Sequence, residues 1–203
     1  MFRYEKDMIP VLKEKLSRKF NTNYFVEEFN TGIGIADLVF TKSISSNYSS
    51  LTDYETISYA VNYINPNFNK KINILETINK NRLNKNKFIN LIDFLESSNS
   101  IIYTDQNTIK IVKKFKPSIS EFYSIEAKLK DWKSGLFQAL RYKNYSHVSY
   151  LAISEKYLKL VNIEMIKEYN IGLISVSENK ISIIVKPQKE HPINQIAQFY
   201  LSN

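Results

Sequence analysis

Residues 4–20 place Ile9, Leu12, Leu16 and Phe20 three and four positions apart, the spacing of one face of an amphipathic helix. Pro10 sits about one turn in and predicts an irregular first turn. Two strand-like runs follow, NYFVEEF (23–29) and IADLVF (35–40). They are joined by NTGIG (30–34), which carries two of the chain's four glycines and reads as a hairpin turn. The tract TKSISSNYSS (41–50) is polar, serine-rich and loop-like. Residues 52–64 then read as a helix with Thr52 as its cap, 72–81 as a shorter helix and 84–99 as a third. Residues 100–115 read as two strands about the turn DQN (105–107). After Pro117, EFYSIEAKLK (121–130) is a strand whose alternation breaks at Glu126 and Lys128. Residues 131–146 form a helix with Leu136, Ala139 and Leu140 inward, and VSYLAIS (148–154) is a buried-type strand. Residues 155–170 read as mostly helical, ended by Gly172 after Asn170. GLISVS (172–177) and KISIIVK (180–186) make a closing hairpin, and the tail from His191 reads as one more helix. No internal repeat is present.

Three helices followed by a β-hairpin is the order of a winged helix-turn-helix, in which the third helix meets the DNA major groove and the hairpin forms the wing. The organisation expected is therefore an α/β core made of residues 1–43 and 120–203, interrupted by a module at 44–119. That module holds ten basic and six acidic side chains, and Arg82, Lys85, Lys87, Lys113, Lys114 and Lys116 are the ones expected to face phosphate. Modules of this build also serve as protein-docking units, so a partner protein is the alternative occupant.

Composition narrows the chemistry. The chain has 203 residues, 43% hydrophobic and 13% aromatic, ample for a core and too apolar for disorder over most of its length. No apolar run approaches the ~18–20 residues of a bilayer span, and the N-terminal residues lack an apolar leader segment; a soluble, cytoplasmic protein is expected. The absence of cysteine excludes disulfides and thiolate metal sites, and two histidines, His147 and His191, exclude a histidine cage. A bound metal must then be a hard cation held by carboxylates. The net charge of +8 favours a polyanionic partner, although Lys, Asn, Ile and Tyr are abundant throughout and part of that charge is compositional background.

Carboxylates at unusual positions supply the candidate chemistry. Asp37 interrupts an apolar strand, either at its end or holding something. Glu126 and Lys128 share one face of another strand, because side chains repeat with period two. Glu5 lies on the inner stripe of the first helix, where an acid is costly unless paired or metal-bound; a solvated carboxylate favoured by the helix dipole is the alternative. Carboxylates converging at a strand end bind Mg²⁺ or Mn²⁺, and a neighbouring lysine can orient water or offset charge on phosphate.

In this order the residues resemble the PD-(D/E)xK nuclease superfamily, the restriction-endonuclease-like fold: Glu5 on a helix, VEEF, GIADLVF with Asp37, IEAK with Glu126 and Lys128, then a helix and VSYLAI. The resemblance covers residues 1–42 and 120–186. It implies that Asp37 and Glu126 are metal ligands, joined by the carbonyl of Ala127, that Lys128 is the catalytic lysine, and that Glu5 is an outer contact or a ligand of a second metal. Gln138 and Tyr142 match the Gln-x-x-x-Tyr element of some branches, which adds Gln138 to the catalytic set; with Tyr145 they are expected to face DNA, as are Lys133 and Arg141. Two departures stand out. No proline precedes Asp37, and 88 residues separate Asp37 from Glu126 where the family has a short connection; the inserted module accounts for the second. The function implied is a Mg²⁺-dependent DNA endonuclease, as a homodimer or with a partner subunit. The alternatives are a DNA-binding regulator that no longer cuts and a nuclease subunit whose module docks a protein.

Overall fold

The first helix begins as a 3₁₀ turn, Glu5–Asp7, and becomes regular as α1 (Met8–Phe20). Pro10 falls inside the first turn, where a missing N–H forfeits no helical hydrogen bond. A computed structural model describes all residues except 1, 31, 33, 45–50, 52, 120, 195 and 201–203. After α1 comes the antiparallel pair β1 (Tyr24–Asn30) and β2 (Ile35–Thr41). The middle of the chain contains α2 (Tyr54–Tyr59), β3 (Lys71–Asn73), α3 (Ile74–Asn81), α4 (Lys85–Ser97), β4 (Ile101–Asp105) and β5 (Thr108–Ile111). The remainder runs β6 (Phe122–Lys128), α5 (Trp132–Tyr142), β7 (Val148–Ser154), α6 (Ile163–Glu168), β8 (Gly172–Val176), β9 (Ile181–Val185) and α7 (Ile196–Tyr200). These elements divide into two units, Met1–Ser46 with Ser118–Ser202, and Asn47–Pro117.

The first unit is α/β, built on a mixed six-stranded sheet in the order β1-β2-β6-β7-β8-β9. β6, β7 and β8 are mutually parallel, and antiparallel neighbours flank them on both sides. Strands buried on both faces read as continuous apolar runs, which is why VSYLAIS and GLISV lack alternation. One face packs Leu38, Phe40, Tyr123, Ile125, Tyr150 and Ile174 against Met8, Leu12 and Leu16 of α1. The other packs Leu151, Ile153 and Leu173 against Leu136 and Ala139 of α5 and Ile166 of α6. The stretch expected as one helix over 155–170 is two pieces, a 3₁₀ turn Glu155–Leu160 and α6, separated at Val161, which turns inward in extended conformation.

The second unit has three helices and a three-stranded antiparallel sheet, β3-β5-β4. β3 takes the start of the helix expected over 72–81: three residues are too few for periodicity, and only the pairing of Lys71, Ile72 and Asn73 with Lys110, Ile109 and Thr108 defines them as strand. The helix expected over 52–64 is α2 followed by a π-helical turn, Ala60–Ile64. Thr52 lies outside the described residues; Asp53 caps α2 by accepting from the Thr56 N–H. Residues 45–50 of the serine-rich tract are also outside them. Among the described residues no helix is long and apolar enough to cross a membrane.

At the N-terminal end of β6, Glu121 binds Lys42 at 2.8 Å and Lys189 at 3.1 Å and accepts a hydrogen bond from the Tyr123 hydroxyl. Burial alone pushes the Glu121 carboxyl up, but Lys42, Tyr123 and Lys189 together hold it down at about 2. A depressed carboxylate contributes stability that is complete above its ordinary value of 4.5 and is lost as pH falls through its folded value. Glu121→Gln is therefore expected to cost about 1–2 kcal/mol near neutral pH. The difference from wild type should close between pH 4.5 and about 2. Urea denaturation at several pH values checks this, and a difference independent of pH would rule it out.

Candidate active site

The ladder between β2 and β6 pairs Thr41 with Phe122 and ends where Leu38 meets Ile125. Beyond that point β6 stays paired only to β7, out to Lys128 opposite Ile153. The next inward-facing N–H on the opened edge is that of Ala127, and the Asp37 carboxylate takes it, Oδ2 accepting at 2.7 Å. Asp37 thus stands in for the missing ladder bond, at the point where two core strands part.

Glu126 and Lys128 lie on the face of β6 covered by α5. Glu126 is 1% exposed, and both carboxylate oxygens have partners. Oε1 lies 2.6 Å from Lys128 Nζ, and the Tyr142 hydroxyl is 2.7 Å from Oε2. That hydroxyl is also 2.6 Å from the carbonyl of Ile35, at the start of β2. Tyr142 therefore bridges the two strand ends that carry Asp37 and Glu126. Gly34, with φ 153°, lets it in close: a β-carbon there would stand 3.3 Å from the ring. Gly135 does the same for Lys128, whose stem passes 2.8 Å from where a β-carbon would be.

The helix that carries Tyr142 is fixed by buried hydroxyls. Ser149 Oγ donates to the Ala139 carbonyl at 2.7 Å and Ser146 Oγ to the Tyr142 carbonyl at 2.8 Å, while Ser124 on β6 is 2.8 Å from Ser146. Since Ser146 has given its proton to Tyr142, Ser124 donates to it.

Glu5 completes the group from the 3₁₀ turn ahead of α1. Its Oε2 lies 3.5 Å from Lys128 Nζ, and its Oε1 accepts from the Leu129 N–H at 3.2 Å. A cleft of about 380 Å³ opens beside it, lined by Glu5, Asp7, Glu27, Glu28 and Asp37 among others. Glu28, which the sequence did not single out, holds φ 50° within β1. That left-handed residue turns the strand over, so Phe25 packs with the α1 side and Phe29, four residues on, with the opposite cluster.

Burial raises the Asp37 carboxyl; the Ala127 bond and Lys128 oppose this, and Glu5 and Glu28 reinforce it. Burial likewise raises Glu126, against the bonds from Lys128 and Tyr142, with Asp37 adding to the rise. For Lys128 burial works against the charge, but the Glu126 carboxylate, with Glu5 and Asp37 behind it, raises it overall. Two carboxyls that resist ionisation, close enough to repel, are a donor set that a hard divalent cation satisfies. Among the described residues no three acidic or histidine side chains converge as a self-sufficient cage. Asp37 and Glu126 are the carboxylates that could hold such an ion, whose remaining oxygen ligands would then have to come from outside the chain.

No family model, curated protein or solved structure matches the chain.

Asp37, Glu126, Lys128, Glu5 and Tyr142 are thus brought together. Tyr142 and Tyr145, expected to face outward, are buried at 1% and 0% exposure. The i, i+4, i+7 stripe that includes them lies nearer the sheet than the spacing alone indicated, and Tyr142 touches Glu126 instead of solvent. Gln138 bonds to Ser134 on its own helix, at 3.0 Å, and Lys133 and Arg141 are exposed on α5. His147 Nδ1 accepts from the Phe122 N–H at 3.0 Å, a structural use that leaves it no part here. In the second unit Arg82, Lys85, Lys113, Lys114 and Lys116 are exposed. Lys87 is already neutralised, 3.1 Å from Asp53 and 2.7 Å from Glu55.

Three outcomes are expected. Asp37→Asn keeps an acceptor for Ala127 and removes the repulsion, so it should raise the melting temperature in EDTA by ~2–4 °C. Mn²⁺ should stabilise wild type and leave this variant unmoved; thermal denaturation with and without metal reads both. Tyr142→Phe removes the one hydroxyl proton shared between the Ile35 carbonyl and Glu126 and should cost about 1–3 kcal/mol in chemical denaturation.

Proposed function

We propose that the protein is a Mg²⁺-dependent DNA endonuclease with a restriction-endonuclease-like core, residues 1–43 and 120–203, and a winged-helix-like insertion at 44–119. The observation that carries this reading is the meeting of Asp37, Glu126 and Lys128 where β2 and β6 part, with Glu126 and Lys128 2.6 Å apart. The antiparallel-then-parallel run β1-β2-β6-β7 supports the core, and three helices against β3-β5-β4 support the insertion.

A Mg²⁺ or Mn²⁺ ion held by Asp37 and Glu126 would supply Lewis acidity and neutralise charge at a phosphodiester. The chain's own residues do the rest. Lys128 keeps its proton, because Glu126 and Glu5 stabilise the ammonium. It therefore acts as a donor, hydrogen-bonding a phosphate oxygen and offsetting the charge that grows there in the transition state. Tyr142 and Lys128 fix the Glu126 carboxylate in one orientation, which removes the cost of ordering it when substrate arrives. Glu5 orients the Lys128 ammonium from the solvent side.

One observation favours a second reading for the insertion, docking of a partner protein. Beyond Lys85, Asn86 and Asn90, the exposed positions of α4 are Asp93, Glu96 and Ser97, a poor surface for a phosphate backbone. Salt titration of DNA binding separates the two, because counterion release gives a steep negative slope only to a DNA-binding unit.

The deciding experiment incubates purified protein with supercoiled plasmid in Mg²⁺, Mn²⁺ or EDTA. Metal-dependent nicking or linearisation is expected, with Glu126→Ala and Lys128→Ala about a hundredfold slower or worse and DNA binding largely kept. Variants that cut like wild type would overturn the site. Cleavage in neither metal, with DNA still bound, would favour a regulator that does not cut.

A further inference from the structure

The outer face of α5 is not the solvated surface of an ordinary amphipathic helix. Its inner side, Gly135, Leu136, Ala139 and Tyr142, is buried against the sheet and holds Glu126 and Lys128 in place. The outer side carries Lys133, Phe137 and Arg141 at successive steps of four residues. Phe137 is 57% exposed, in the middle of a face where any charged residue would be better solvated. No acidic residue occurs between Trp132 and Tyr142.

Several cations of the same unit are neutralised by a carboxylate, and these two are not. Lys13, Lys15, Arg18, Lys42, Lys143 and Lys189 all sit within 3.1 Å of a carboxylate oxygen. Lys133 and Arg141 have no carboxylate partner among the described residues; Lys133 lies 5.8 Å from the Trp132 ring centre. The Arg141 side chain rests over Gly34, its Nε 3.9 Å from where a β-carbon would stand, at the entry to the strand that carries Asp37. An exposed aromatic ring with an unpaired cation one turn to each side is the element that single-stranded nucleic acid uses, base on ring and phosphate on cation. A duplex hides its base faces and offers such a ring nothing.

We propose that Phe137 is a stacking platform for an unpaired base, that Lys133 and Arg141 hold the phosphates on either side of it, and that the substrate reaches Asp37 and Glu126 as a single-stranded or frayed segment. This inference rests on the nuclease reading for what happens at Glu126, but not for the binding itself.

The test is fluorescence anisotropy in EDTA, where nothing is cut, using the full chain with labelled oligothymidylate, oligouridylate and a blunt DNA duplex of equal length. Phe137→Ala is expected to weaken oligothymidylate at least about fivefold. Phe137→Tyr should restore binding, and duplex affinity should stay unchanged. Lys133→Ala and Arg141→Ala should each reduce the salt slope by about 0.7. Emission of the single tryptophan, Trp132, beside Lys133, should change on binding. Phe137-dependent binding of oligouridylate as well would widen the ligand to RNA on the same platform. Unchanged binding of oligothymidylate by Phe137→Ala, or an equal loss on duplex, would overturn the proposal. Because no cleavage is measured, platform binding without plasmid cutting would leave this inference standing and remove the nuclease reading; plasmid cutting without Phe137-dependent binding would do the reverse.

Discussion

A carboxylate taken out of water governs the first unit. Glu126 stands in the middle of a core strand with almost no exposed surface, a position that costs several kcal/mol unless charge and hydrogen bonds are returned to it. The compensation comes from two directions, Lys128 two residues along the same strand face and the Tyr142 hydroxyl from the helix above, while Asp37, seated in the break of the neighbouring ladder, adds repulsion to the cost. Each device imposes a further demand. Lys128 needs a glycine opposite it, Tyr142 needs another beneath its ring, and the helix that bears Tyr142 needs serine hydroxyls to hold its register. Such an arrangement does not stabilise a fold better than leucine would. Its worth lies in what it prepares.

The distribution of charge tells more than its sum. Some of the lysines and arginines are neutralised locally, as at Glu121, which gathers Lys42 and Lys189, or at Lys87, held between two acids of its own unit. A net charge of +8 therefore identifies no binding surface by itself. Cations without acids nearby, set beside an exposed ring, carry more information than a larger number of paired ones.

Much of the core was legible because its strands and helices obey simple periods. α1, the first hairpin, β6, β7 and the closing hairpin are where alternation and helical spacing place them. Asp37, Glu126 and Lys128 were legible for the opposite reason: they break those periods, and a charged residue in an apolar run must be answered by something. What escaped was set by tertiary geometry. Tyr142 looked like a polar-face residue because a tyrosine can serve either side of a helix, and only the position of Glu126 beneath it decides which. β3 is shorter than any period. The left-handed residue Glu28, an ordinary acid in sequence, reverses the facing of Phe29 and so hides the alternation that strand β1 would otherwise show. The split of the 155–170 stretch likewise turns on Val161, whose burial outweighs its helical spacing.

The pairing of Thr41 with Phe122 has a kinetic corollary. The two strands that must meet to assemble the site are separated by the whole of the second unit, so their contact order is high and unassisted closure of that loop is slow. If the second unit collapses first, its ends arrive as one short tether, and the isolated bridge from Ile44 to Ile119 can fasten the base of the loop before the long ladder zips. On that order of events, a substitution deep inside the second unit slows formation of the site without touching a single residue of that site.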